Sequence, residues 1–377
     1  MHIDPFGVEM WMNAHENHCA YNLAETCVTS LTLDELTALS GRNDPLAGLG
    51  PTRLTYGAIE GSDRLRDAIA GLYADRTRAD VLVTHGTAGA NALVWAAMAS
   101  AGDPVVSLVP TYQQHISIPE SLGADVTQVR LRPEDGWLPD WDVLDGAVTA
   151  ETRLIALTNP NNPTGTWIEA AGLRRLAEIA RRGNHGAGAW VLVDEVYRGS
   201  QQAGDGMGAS IVDVYGRGIS TASMSKVFSL AGLRLGWVCA PAEVLEAVSH
   251  HRDYNTISVG LIDDHLATLA LEAKDRILAR SREMTRGNLA LVSDWVTAEP
   301  GIDWVKPVAG TTALLSYDLD IGSEQLCLDL LEEEGVLFTP GAVMGVEGTL
   351  RIGFANAPEA LRAGLPRVSA FLRRRRA

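Results

Sequence analysis

Lysine is nearly absent from this chain. Of 31 basic side chains in 377 residues only three are lysines, Lys226, Lys274 and Lys306, and the rest are arginines. Arginine keeps its proton in proteins, so almost no side-chain amine is left that could become neutral and attack a carbonyl. Cysteine is scarce too. Cys19, Cys27, Cys239 and Cys327 are scattered without CxxC spacing. With no signal peptide, that excludes a disulfide scaffold and implies free thiols in a reducing cytoplasm. No apolar run approaches the length of a membrane span. A net charge of −16 argues against nucleic acid as a partner, because phosphate neutralisation needs basic patches. The one basic run, Arg373 to Arg376, reads as cations on the last turn of a helix. "HENHC" (His15 to Cys19) lacks HExxH spacing and has no matching ligand pair elsewhere. A polar N-terminal helix is expected there, and no metal.

What remains is an ordinary globular composition, 46% hydrophobic and 21% charged, without repeats or low-complexity linkers. Apolar runs alternate with helical patterns through the middle: "DVLVTHG", "DPVVSLVP", "RLIALTNP", "AWVLVDEVY", "GISTASMSK" and "LGWVCAP". Such alternation reads as α/β with a mostly parallel sheet, whose ligands collect at the carboxyl ends of the strands. After about residue 270 a long, interrupted amphipathic helical stretch follows, then short strands and a last helix. The expected organisation is a large domain over 46–270 and a smaller α+β domain from 1–45 and 271–377.

The polar residues at strand ends form a set. "THGTAGANAL" is a Gly-rich turn opening a helix, able to present free N–H groups to an anion. "NPNNPTG" is a turn stiffened by two prolines. "VLVDEVYRG" ends a fully apolar strand in Asp194, and a carboxylate there must be paired or functional. "SMSKVFSLAGLRLGW" brings Ser223, the rare Lys226 and Arg234, and "LRIGFAN" brings Arg351. An anion cup, a buried acid, a phenol, an amine and an arginine suit pyridoxal 5′-phosphate, which carries a phosphate, a ring nitrogen, a phenolate oxygen and an aldehyde.

From "YNLAET" to "LRIGFAN" the motifs, in this order, resemble the fold-type I pyridoxal-phosphate enzymes, the class I/II aminotransferases. The resemblance implies that Lys226 is the Schiff-base lysine and that Asp194 pairs with the ring nitrogen. Asn162 and Tyr197 would hold the ring oxygen, and Tyr112 would stack on the ring. Gly86, Thr87 and Ala88, with Ser223 and Arg234, would bind the phosphate. Tyr56, in "LTYGAIEGSDRLRDAI", resembles the tyrosine that reaches the neighbouring subunit's phosphate, which implies a homodimer; Asn255 or Thr256 would serve the same site. Arg351 and Asn162 would grip the α-carboxylate of an amino-acid substrate. Glu25 and Thr26, in "YNLAETC", would face its side chain, with a solvated Glu25 as the alternative.

Transamination is the reaction the family implies first. "PTYQQHISIPESLGA", "NTISVGLIDDHLA" and "PVAGTTALLSY" are similar to an antibiotic-pathway branch of arginine hydroxylases, capreomycidine synthases and lincosamide-type enzymes acting on S-substituted cysteine. That leaves elimination, decarboxylation or oxygen-dependent oxidation of a specialised amino acid as the alternative.

Overall fold

The apolar runs of the middle sequence become strands of one sheet in the computed structural model, which describes residues 2–376. In chain order the strands are β1 (Tyr21–Asn22), β2 (Val81–Thr84), β3 (Pro104–Val109), β4 (Asp125–Arg130), β5 (Leu154–Thr158), β6 (Trp190–Asp194), β7 (Gly218–Ser223) and β8 (Gly236–Cys239). After them come β9 (Ile302–Trp304), β10 (Thr312–Tyr317), β11 (Val336–Leu337), β12 (Thr339–Pro340) and β13 (Thr349–Gly353). Seven strands form the central sheet in the order β2-β8-β7-β6-β5-β3-β4. Only β8 runs antiparallel to its neighbours.

Both faces of this sheet are covered, which is why its strands read as continuous apolar runs. Alternate residues enter opposite cores. Val191 and Val193 of β6 pack with Ile155 and Leu157, beneath Leu173 and Leu176 of the helix Ala170–Ala180. Trp190 and Leu192 pack on the other face with Leu154, under Ala90 and Val94 of the helix Gly86–Met98. The exception is β4, absent from the apolar runs of the sequence. It is the edge strand, and of its six residues only Val129 is buried.

The amphipathic stretch after residue 260 breaks at Ala273 into helices Leu261–Glu272 and Lys274–Ala298. The second helix spans two cores: Ile277 and Leu278 join the central sheet, while Leu289, Val292 and Val296 join a second core. That second core lies on an antiparallel sheet of order β12-β13-β10-β9. Trp11, Leu23 and Ala24 pack there, and β1 pairs in parallel with β11. Leu36 departs from the expected grouping. It is the one buried residue of helix Leu33–Ser40 and joins the core of the central sheet. No helix among the described residues is long and apolar enough to cross a membrane.

Candidate active site

The carboxyl ends of β5, β6 and β7, with the helix that follows β2, meet at one cavity of about 250 Å³. Asp194, the last residue of β6, lines it at 3% exposure. Its Oδ2 accepts from the Asn91 amide at 2.9 Å and its Oδ1 from the Val196 N–H at 3.0 Å. Thr221 donates to the Asn91 carbonyl at 2.6 Å, which fixes how that amide faces. Burial pushes the Asp194 pKa up to about 6, against these donors and the charge of Lys226. A carboxyl so placed favours a partner that brings it a proton or positive charge.

Helix Gly86–Met98 begins at the cavity without a side-chain cap, so its first N–H groups are free for an anion. Thr87, Ala88, Ser223 and Arg234 line this end, and the Thr87 hydroxyl is buried without a partner. Gly86 stands just behind. It has φ +67°, and a Cβ there would come within 3.1 Å of Arg234 Nη2, so glycine lets the guanidinium lie against the helix start. Arg234 is itself left-handed at φ 48°, a strained state that persists where its surroundings demand it.

Lys226 follows β7. Its Nζ donates to Thr26 Oγ1 at 2.5 Å and to Cys27 Sγ at 3.3 Å, and lies 5.9 Å from the Tyr197 ring centre. Burial works against its charge, yet Tyr197, Cys27 and Glu25 around it hold its pKa above that of ordinary lysine. Glu25 Oε1 accepts from the N–H groups of Thr26 and Cys27 at 2.7 and 2.6 Å. Against burial, Lys226 and these N–H groups keep the Glu25 pKa below the usual carboxylate value. Thr26 is thus tied to the amine of Lys226, and it lines the cavity together with Glu25.

Arg351 sits mid-strand in β13 at 3% exposure. It donates to Thr339 Oγ1 at 3.1 Å, to the Ala24 carbonyl at 3.3 Å and to Asn162 Oδ1 at 3.3 Å, while its Nε is buried without a partner. Tyr112 lines the same cavity and donates to Glu9 Oε1 at 2.9 Å.

Of the residues expected from sequence, Tyr56 stands apart: it is 71% exposed in the loop before helix Asp63–Ala70. Asn255 and Thr256 likewise lie on a loop rather than in the cavity. Four residues the sequence reading missed line or support the cavity: Asn91, Cys27, Glu9 and Glu16. Asn91 left a signal, an amide in the apolar run "GANALVW". Glu9 and Glu16 left none, since helix Gly7–His15, here α1, reaches the cavity only through tertiary packing.

The donor set fits pyridoxal phosphate. An uncapped helix start with Thr87, Ser223 and Arg234 suits the phosphate, a buried acid suits the ring nitrogen, and an amine suits the aldehyde.

A profile of the family "Aminotransferase class I and II" matches residues 12–365. Capreomycidine synthase of Streptomyces vinaceus is 30% identical over 368 residues, 96% of this chain and 92% of its own length. A PLP-dependent aminotransferase from Streptococcus suis superposes with TM-score 0.95 at 41% identity, covering 100% of this chain and 99% of its own. A PLP-dependent cyclase superposes with TM-score 0.91 at 31% identity, covering 100% and 98%.

Proposed function

Since the chain belongs to the class I and II aminotransferase family and takes pyridoxal phosphate, we propose that it transaminates an α-amino acid whose carboxylate rests on Arg351. One observation carries this reading: the amine of Lys226, the acid of Asp194 and the guanidinium of Arg351 line a single cavity. When bound, the cofactor supplies an aldehyde for the substrate's amino group and a ring that withdraws electrons from its Cα.

The chain's own residues do the rest. Thr87, Ala88, Ser223 and Arg234 hold the phosphate, and Asp194 keeps a proton on the ring nitrogen. Asn162 and Tyr197 address the ring oxygen, and Tyr112 covers the ring. The Lys226 amine takes the proton from Cα as a general base, and for transamination it passes that proton to the former aldehyde carbon rather than returning it to Cα. Arg351 grips the α-carboxylate with Asn162 beside it, and so orients the Cα bond that breaks. The active form in this reading is a cytoplasmic homodimer. Tyr56, Leu54 and Tyr254, at 71, 81 and 95% exposure, offer the apolar surface a second copy would cover.

A panel of amino acids, each incubated with and without a keto acid, tests the reaction type. Turnover that depends on the keto acid is the expected result. Ammonia release or oxygen consumption without an acceptor would replace transamination with the second reading: elimination, decarboxylation or oxidative deamination of a specialised amino acid. That second reading rests on the likeness to a cyclase and to capreomycidine synthase, relatives whose names are not those of aminotransferases.

A further inference from the structure

The cavity is lined by three cations, Lys226, Arg234 and Arg351, and the proposed function gives each a duty. Lys226 serves the cofactor aldehyde, Arg234 the phosphate and Arg351 the α-carboxylate. No other lysine, arginine or histidine lines it among the described residues, so within this cavity the subunit has no spare cation for a distal carboxylate. Arg130 lines the adjoining cavity, which shares Arg351, but it stands there with Asp4 and Glu120. Negative charge, by contrast, is in surplus. Besides Asp194, the cavity is lined by Glu9, Glu16 and Glu25, and none of these three forms an ion pair with a described residue.

Two of these carboxylates come from one side of the cavity and are held there. Glu9 lies on α1 and Glu16 in the helical turn that continues it, and with Val8 and Met12 they present one flank to the cavity. The start of α1 is clamped: the Gly7 N–H donates to Gln113 Oε1 at 2.9 Å, and Gln113 Nε2 donates to the Pro5 carbonyl at 2.9 Å. Trp11 fixes its middle by donating to the Phe338 carbonyl at 2.8 Å. An independent feature of the same cavity points to a ligand. Arg351, 3% exposed, keeps its Nε buried without a partner, as a guanidinium awaiting an anion would.

Resting on the proposed function, we infer that the substrate is a basic amino acid: its α-carboxylate sits on Arg351 and a cationic group at the far end of its side chain meets Glu9 and Glu16. A distal carboxylate in that position would meet like charge at the cavity's exposed flank, whereas an ammonium or guanidinium paired with both carboxylates would be favoured by about tenfold over a neutral isostere. Glu25 is the less suitable residue for a test, because its carboxylate also holds the Thr26 and Cys27 backbone, whereas Glu9 accepts a single hydrogen bond, from Tyr112, which the amide oxygen of glutamine can still accept.

Binding to cofactor-loaded Lys226→Ala protein, measured by calorimetry, separates recognition from turnover. The probes are L-ornithine, L-lysine, L-arginine, L-norleucine and L-glutamate. At least one of the three bases should bind about tenfold tighter than norleucine, with glutamate weakest. In the Glu9→Gln, Glu16→Gln background, where both substitutions fall on exposed residues, that preference should shrink while norleucine is unaffected. Norleucine or glutamate matching every base, or a preference that survives both substitutions, would overturn the inference and leave the reading of Arg351 intact. If none of the five binds and Arg351→Ala changes nothing, the reading of Arg351 fails and this inference falls with it.

Discussion

Asp194 shows how one residue's environment can be tested without turnover. Burial raises its pKa from 3.8 to about 6, so the folded, cofactor-free chain holds that proton more tightly than the unfolded chain does. Its contribution to stability is complete below about pH 4 and is lost as pH rises through about 6. The loss amounts to about 3 kcal/mol. Asp194→Asn removes the titration. It also misdirects the Asn91 amide, but that cost does not change with pH. Denaturant unfolding of the cofactor-free proteins should therefore show the Asn variant gaining about 3 kcal/mol on wild type between pH 4 and pH 8. Parallel pH profiles would mean that Asp194 is not desolvated as the structure places it.

At the scale of elements, what could be read from the sequence depended on how local the signal was. β5 and β6 are buried on both faces, so their apolar runs announce them, and Asp194 stands out as the charge that ends one. Lys226 stands out because lysine is so rare here. Edge strand β4 escapes because solvent on its open side leaves only Val129 buried. The N-terminal helix expected at His15–Cys19 lies earlier, at Gly7–His15, with only a tight helical turn at Glu16–His18, and nothing in its sequence discloses that it flanks the cavity. The contacts that place it join residues 103 and 106 positions apart, Tyr112 to Glu9 and Gln113 to Gly7. The segment after β1 is similar. "AYNLAET" has a strand-like pattern, but only Tyr21–Asn22 pairs as a strand. Residues 23–26 instead run extended beside β13, where the Gly353 N–H donates to the Leu23 carbonyl at 2.7 Å. A Cβ at Gly353 would fall 1.9 Å from the Glu25 carbonyl, so only glycine admits this crossing. It brings Thr26 and Cys27 to Lys226 across some 200 positions, which is why Cys27 could not be foreseen.

For the whole molecule, the exposed Tyr56 poses the remaining question. A tyrosine 71% exposed, two residues from Leu54 at 81%, does not line the cavity of its own subunit. If it serves the partner's phosphate, Lys226→Ala and Tyr56→Phe subunits, each impaired alone, should recover part of the activity when mixed, because one hybrid site carries neither change. No recovery, or an active protein that sediments as a monomer, would remove the shared site. The central claim is narrower: Lys226 is the residue that takes the cofactor. Only Lys274 and Lys306 compete with it, which makes the measurement clean. The cofactor-loaded protein is treated with borohydride, digested, and searched by mass spectrometry for a pyridoxyl group. The expected result is a label on the peptide carrying Lys226 with loss of visible absorption. A label on Lys274 or Lys306, or none on a loaded protein, would contradict it.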